Sequence, residues 1–387
     1  MRLAIITTHP IQYYTPVFKL LNQNPNISVK VFYTWGEKGL EKFDPGFGKK
    51  IDWDIPLLDG YDFEWVKNTA TDPGSHHFTG IINPDLINQI KTWQPDALLI
   101  FGWAYHSHIK AIRYFKNKIP VYFRGDSTLI DVQPGVKSIL RSLLLKWVYR
   151  HIDHAFYTGT NNKAYFKKYG LKDDQLTFAP HAIDNDRFAA DNNSQAEEIR
   201  ESLNISADDI LVLFAGKLEQ KKSPQMLLKA FLALNMPQAH LLFTGNGMLE
   251  NLLKQEAGDN KNIHFIGFQN QSLMPAVYQA CDLFCLPSKG PGETWGLAIN
   301  EAMACGKAVL VSDKVGCAAD LVTNKNGMIF KSESIADLTS CLQELLTNKK
   351  RLHEYGQHSS ALIKSWSFEK QVKTIENKLL NETSRSY

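Results

Sequence analysis

The sequence predicts an α/β protein made of two doubly wound, parallel-sheet domains. Three observations carry that prediction. At 387 residues the chain is too long for one ordinary core and long enough for two. Short, wholly apolar runs alternate with helix-patterned segments in both halves, as expected for parallel sheets covered on both faces. Between the two alternating sets lies a polar stretch, Asp184 to Asp209, containing "AADNNSQAEE", which reads as the passage between domains. The boundaries expected are 1–183 and 184–365, with 366–387 as a terminal helix.

In chain order, "LAIIT" is a buried strand, "YYTPVFKLLNQ" a helix and "SVKVFYT" the next strand. The segment from Thr34 to Ser75, rich in Gly, Asp, Pro and aromatics, breaks the alternation and reads as a long loop or irregular insertion near a binding crevice. The alternation then resumes. "DLINQIKTW", "SHIKAIRYF" and "NKAYFKKYG" are helical, while "DALLIF", "IPVYFR", "HAFYTG" and "LTFAP" are strands. The second set has "ILVLFAG", "AHLLFTG", "IHFIGF", "DLFCLP", "AVLVS" and "GMIF" as strands, with helical patterns between them. From Ser334 onward the pattern is helical, and the tail "NETSRSY" is expected to fray.

Composition sets outer limits. Apolar residues make up 44% and charged residues 21%, ordinary for a globular protein. No basic segment followed by an apolar core opens the chain, and no run approaches the roughly 18 uncharged apolar residues of a membrane span. The expectation is a cytoplasmic protein. All five cysteines lie beyond residue 280 without a Cys-x-x-Cys pair, so they read as buried free thiols. Net charge is only +3, but between Lys110 and Arg150 nine Lys or Arg stand against Asp126 and Asp131. This stretch ends in "VKSILRSLLLKWVYRHI". Such a helix either lies on an anionic membrane surface or packs its leucines inward and leaves its charges to water. Nucleic acid is not expected as a partner, because no recognition module or stacking series accompanies the charge.

Two stretches carry chemistry. In "FAGKLEQKKSP" a buried strand is followed by Gly216, and Lys217 and Lys222 stand just before a helix opened by Pro224. Ammonium groups beside a helix N-terminus suit a diphosphate, although lysines in a turn also serve simply as solvated residues. In "PSKGPGETWGLAINEAMACG", Glu293 sits among glycines and Glu301 eight residues on sits in an apolar, small-residue run. A helix beginning near Trp295–Leu297 would aim its free amides at whatever Glu293 touches. A buried carboxylate needs a hydroxyl or a cation, and sugar hydroxyls meet that need. The turn at Gly245 permits close backbone approach but is not a dinucleotide fingerprint.

Taken together these residues resemble the donor-binding domain of family 4 retaining glycosyltransferases, proteins of GT-B fold in which two Rossmann-like domains face a deep cleft. The family motif of two glutamates separated by seven residues is filled by Glu293 and Glu301. Lys217 stands in the usual Arg place, Lys222 in the usual Lys place and Trp295 where Phe is common. The "HPIQY" loop is similar to that of a bacterial subgroup. The resemblance implies that the first domain binds the acceptor and the second a nucleotide sugar, with the last helix crossing back to the first domain. Glu301 would hold the ribose hydroxyls and Glu293 those of the transferred sugar, helped by the backbone amides of Thr294, Trp295, Gly296 and Leu297. Lys217 and Lys222 would neutralise the leaving diphosphate, with no metal and no cofactor beyond the donor substrate. Gly245 and Phe268 would bracket the base, and His9 would line the donor phosphate or the acceptor, or else only cap and pack. The implied reaction moves a sugar, most commonly from a UDP-sugar, to a glycan or lipid-linked glycan in surface polysaccharide or lipopolysaccharide synthesis. The protein would then be cytoplasmic or peripheral at the inner face of the cell membrane.

Departures lie on the acceptor side. Where many members carry a His near the anomeric carbon, this chain has Arg124, Gly125 and Asp126. Arg124 stays protonated and is no base. It is expected to hold a phosphate or acidic acceptor, and Asp126 to accept a proton or orient the acceptor hydroxyl. His181, Ala182 and Ile183 replace the common Asn-Gly-Val. A nucleotide-sugar epimerase and a non-catalytic nucleotide-sugar or glycan-binding protein share the fold. A nicotinamide dehydrogenase is excluded, because neither "TTHPIQ" nor "FAGKLEQKK" is its glycine turn.

Overall fold

The computed structural model describes residues 1–37, 43–44, 49–50 and 53–383. Its elements are β1 (Arg2–Thr7), α1 (Thr15–Gln23), β2 (Ser28–Tyr33), β3 (Phe43–Asp44), β4 (Lys49–Lys50), β5 (Asp62–Trp65), α2 (Leu86–Trp93) and β6 (Ala97–Phe101). There follow α3 (His106–Phe115), β7 (Val121–Arg124), α4 (Val136–Tyr149), β8 (His154–Tyr157), α5 (Thr160–Lys168) and β9 (Leu176–Phe178). The second half has α6 (Asn185–Ala189), α7 (Asn193–Ser202), β10 (Ile210–Ala215), α8 (Pro224–Leu234), β11 (Ala239–Thr244), α9 (Glu250–Ala257), β12 (Ile263–Ile266), α10 (Met274–Ala280) and β13 (Leu283–Leu286). It closes with α11 (Leu297–Ala304), β14 (Ala308–Ser312), α12 (Ala318–Leu321), β15 (Gly327–Phe330), α13 (Ile335–Leu346), α14 (Lys349–Ile363) and α15 (Phe368–Thr383).

The chain divides into two compact units. One comprises Met1–Lys42, Ile55–His181 and Phe368–Tyr387, the other Phe43–Asp54 and Ala182–Ser367. The first unit holds a seven-stranded sheet in the order β5-β2-β1-β6-β7-β8-β9. All of its pairings are parallel. The second holds a six-stranded sheet in the order β12-β11-β10-β13-β14-β15, again parallel throughout. These central strands are apolar along their whole length because helices cover both faces: β6 and β10 are buried at every residue. Helix α15 packs on α1 and β9 of the first unit, and Asn24 Nδ2 donates to Glu376 Oε1 at 3.0 Å. Among the described residues no helix is long and apolar enough to cross a membrane. Four of the five cysteines are buried and all are free thiols.

The fold class agrees with expectation; two local readings do not, and of the two open for α4 inward packing holds only in part. Within the segment expected as irregular, "DFEW" forms edge strand β5, paired with β2. Its alternating charged residues are those of a half-covered edge, not of a loop. Part of that segment, like residues 384–387 of the tail, lies outside the described residues. The polar stretch after Asp184 is not a linker. It forms α6 and α7 within the second unit, and Arg200 of α7 fastens it there by donating to the carbonyls of Ala280, Ser206 and Asp209. Its polarity reflects a helix with one buried side chain, Ala196. Finally, the leucines of α4 do not all pack inward. Leu145, Val148 and Tyr149 are buried, whereas Val136, Ile139, Leu140, Leu143 and Leu144 are 45–73% exposed.

Candidate active site

Each sheet reverses strand order once, between β1 and β6 in the first unit and between β10 and β13 in the second. In open parallel sheets the crevice beyond the carboxyl ends of such strands is where ligands bind. In the second unit this point is occupied by the motif residues. Gly216 and Lys217 follow β10, Gly245 follows β11, and the loop bearing Ser288 and Glu293 follows β13. The turns are packed backbone on backbone. A Cβ on Gly245, whose φ is +123°, would lie 2.2 Å from Gly216 O, and one on Gly316 would lie 1.7 Å from Thr294 O. The Gly316 amide donates to Glu293 O at 3.0 Å, and the Cys317 amide to Trp295 O at 2.9 Å. The loop after β14 therefore clamps the Glu293 loop from one side.

Glu293 is 8% exposed and is charge-compensated from a second element. Lys222 Nζ donates to its Oε2 at 2.5 Å, and Ser288 Oγ donates to the same oxygen at 2.7 Å. Ser312 Oγ in turn holds the Ser288 carbonyl. Two residues 71 apart in sequence thus meet as an ion pair between the turn before α8 and the loop before α11. Lys217 is half-buried on the neighbouring turn. Glu301, on the second turn of α11, is 5% exposed and accepts a hydrogen bond from Tyr278 Oη at 2.8 Å. Tyr278 is itself fixed by edge-on contacts with Phe188 and Phe284. Leu297 opens α11, with Gly296 as its N-cap at φ +92°. Trp295 is buried; its Nε1 donates to Asn300 Oδ1 at 2.9 Å and its ring packs on Trp366. Phe268 is half-buried, and its amide is held by Asn246 Oδ1 at 2.9 Å, beside the Gly245 turn.

The first-unit candidates gather at the carboxyl edge of their own sheet. His9 follows β1, with Nδ1 2.8 Å from Thr8 Oγ1 and its ring edge-on to Trp35. Asp126 is partly exposed on the loop after β7. That loop is stapled by Asn162, which donates to Ser127 O at 2.8 Å and accepts from the Thr158 amide at 3.0 Å. Arg124 requires a correction. It is 3% exposed, and its two terminal nitrogens donate to Ala179 O and Pro180 O, each at 2.9 Å. The guanidinium expected to hold a phosphate is spent on the chain after β9, and burial pushes it down to about 10. Beside it Tyr14 is pushed up, first by burial and then by Asp126. His181, buried and facing Arg124, is pushed down to about 3 and stays neutral. Tyr14, Asn162, Ser288 and Tyr278 were not marked by the sequence. They act through contacts that no local spacing encodes.

A family model described as glycosyl transferases group 1 matches residues 195–361. Among curated proteins, a D-inositol 3-phosphate glycosyltransferase of Corynebacterium jeikeium is 29% identical over 166 residues, 40% of this chain and 39% of that one. The chain thus spans about two fifths of the length of the curated relatives first matched. Among solved structures, Anabaena HepE in complex with UDP and glucose superposes with a TM-score of 0.72 at 17% identity, covering 98% of this chain and all of that one. WaaG, a glycosyltransferase involved in lipopolysaccharide biosynthesis, superposes at 0.67 and 15% identity over 96% and 97% of the two chains. The fold is therefore GT-B, and the family model's match falls within the second unit.

Proposed function

We propose that this chain is a retaining glycosyltransferase that uses a nucleotide sugar, with UDP-sugars the first choice. The observation that carries the reading is the Lys222–Glu293 pair at the strand-order reversal of the second sheet. A buried carboxylate with one oxygen anchored by Lys222 and Ser288 suits the hydroxyls of a sugar held on that loop. An ammonium group has three donors, so Lys222 can keep Glu293 and still reach a diphosphate oxygen. With Lys217 it supplies the positive charge that a departing nucleoside diphosphate needs, which makes these lysines the electrostatic part of catalysis. Glu301, oriented by Tyr278, takes the ribose hydroxyls. The segment around Phe268 and Gly245 takes the base, and the amides of Thr294 to Leu297 assist at the sugar or phosphate.

In this reading the first unit binds the acceptor, with His9 and Asp126 as the groups nearest the reacting hydroxyl. Asp126 orients that hydroxyl, and the leaving phosphate helps to remove its proton, so no protein nucleophile is required. Arg124 supports the floor of this region. HepE, solved with UDP and glucose, and WaaG, a glycosyltransferase involved in lipopolysaccharide biosynthesis, favour a UDP-sugar donor and a glycan or lipid-linked glycan of the cell surface as acceptor.

The test is a thermal-unfolding panel of UDP-, GDP- and other nucleotide sugars. One donor at 100 times its dissociation constant stabilises the chain by about 2.7 kcal/mol. No shift with any nucleotide sugar would sink the reading. Glu293→Ala should lower transfer at least roughly tenfold with the fold intact, and proton NMR of the product should show the donor's anomeric configuration retained.

A further inference from the structure

Helix α4 presents an apolar face that none of the described residues of its own unit covers. Val136, Ile139, Leu140, Leu143 and Leu144 recur at spacings of three and one, so they form a single stripe on a helix turning about 100° per residue. They are 73, 62, 63, 62 and 45% exposed, while Leu145, Val148 and Tyr149 on the opposite side pack into the sheet. Among the described residues, five of the eleven large hydrophobic side chains that are exposed lie on this one helix; the others are scattered. Isolated exposed leucines are ordinary, but a contiguous row of five marks an interaction surface.

The flanks say what kind. Lys137, Arg141, Lys146 and Arg150 are all exposed, and α4 contains no acidic residue. Trp147, half-buried, lies under the guanidinium groups of Arg113 and Arg150. A protein partner would ordinarily answer such a patch with acidic groups on a shaped surface. A stripe of flexible aliphatic side chains rimmed by cations and a tryptophan suits the boundary between anionic headgroups and acyl chains.

We propose that α4 docks the protein on an anionic lipid bilayer by inserting this stripe, and that docking brings the loop of Asp126 to the membrane surface. The topology gives the second half. α4 leads from the carboxyl end of β7 back to the start of β8, so its N-terminal turns stand at the same sheet edge as the Asp126 and His9 loops. Exposure is greatest at that end and fades toward Leu145. A membrane seated on it therefore meets the first unit where its candidate acceptor residues lie, and the acceptor class this favours is a lipid-borne glycan. The acceptor clause rests on the function proposed above, whereas the docking does not.

The experiment sediments the purified full chain with sucrose-loaded vesicles of phosphatidylcholine, with and without phosphatidylglycerol. Capture is expected only with phosphatidylglycerol and should weaken as salt shortens the screening length. The triple variant Ile139→Ser, Leu140→Ser, Leu143→Ser should lose roughly tenfold or more in vesicle partitioning, since each exposed aliphatic side chain contributes through its buried area. It should keep the parent's unfolding midpoint and any protection by UDP-glucose. Capture of the variant equal to that of the parent, or a parent indifferent to phosphatidylglycerol, would overturn the proposal. A parent that ignores vesicles but is a dimer, dissociated by the triple variant, would overturn it in favour of self-association. Absence of protection by every nucleotide sugar would remove the transferase reading and leave the vesicle result standing.

Discussion

A carboxylate 5% exposed in the middle of "AINEAMA" is costly unless it is hydrogen-bonded, and Glu301 obtains one of its bonds from Tyr278. That bond selects which way the carboxylate points. Hydrogen bonds to a charged group contribute about 1.5–3 kcal/mol. If Glu301 holds the ribose as proposed, Tyr278→Phe should raise KM for the nucleotide sugar roughly tenfold or more while changing kcat little, because such a grip would be the same in ground and transition states. A 2′-deoxyribose donor separates orientation from mere packing. The parent should discriminate against it strongly and the variant less so, and equal discrimination in both would remove Tyr278 from the site. Arg124 makes the opposite case. With both terminal nitrogens on the carbonyls of Ala179 and Pro180, its replacement by Leu leaves two buried acceptors unpaired. At about 1–3 kcal/mol for each unsatisfied group, Arg124→Leu should lower the unfolding midpoint clearly, and the donor-induced shift should survive. A loss of donor protection with an unchanged midpoint would return Arg124 to the ligand.

The elements that build the site are loops, and they are held by backbone contact more than by side chains. At Gly316 a methyl group would fall 1.7 Å from Thr294 O, so Gly316→Ala must push the Glu293 loop outward. Overpacking of this kind costs about 1–3 kcal/mol. The expected outcome is a lower unfolding midpoint together with at least tenfold weaker donor protection, by the reasoning that roughly 1.4 kcal/mol is a factor of ten. Donor protection equal to the parent's would show that the clamp does not place Glu293. At this scale the sequence was informative where one element carries its own signal. "ILVLFA" and "ALLIF" are wholly apolar because both faces of each strand are covered. Gly216, Lys217, Lys222, Glu293 and Glu301 stand out because their residue types are unusual in such surroundings. The edge strand "DFEW" was illegible because a half-covered strand keeps its charges, and α7 because a surface helix with one buried residue looks like a linker. Arg124 was misjudged for a related reason. Its partners lie 55 and 56 residues away, and nothing in "VYFRGD" reveals them. Ser288 and Tyr278 are ordinary residues until the fold sets them against a carboxylate.

At the scale of the whole molecule, burial pushes four imidazoles down, His240 and His264 in the second unit and His108 and His181 in the first, and the two of the first unit are the more deeply buried. His108 is fully buried, its Nδ1 donating to Gly102 O at 2.8 Å with Nε2 2.9 Å from Thr34 Oγ1, and burial pushes it down to about 4. His181 is pushed down to about 3, by burial and by the charge of Arg124 against which it lies. Both sit in the first unit, in which β1, β6 and β7 carry the core. In the unfolded chain both titrate near 6.5. Between that value and about 4 the unfolded state binds more protons than the folded one, so stability rises with pH there. The stabilisation from neutral burial is complete above the unfolded value and is lost as pH falls below it, at up to about 1.4 kcal/mol per pH unit for each histidine. The urea midpoint of the full chain should thus be level above about pH 7 and fall steadily from 6.5 to 5, a window above the ordinary range of carboxylates. His108→Gln with His181→Gln removes two of the four titrations, so the double variant, although less stable at neutral pH, should show a shallower slope across this window, the remainder coming from His240 and His264. A slope equal to the parent's would mean that other groups set the acid limit of this fold.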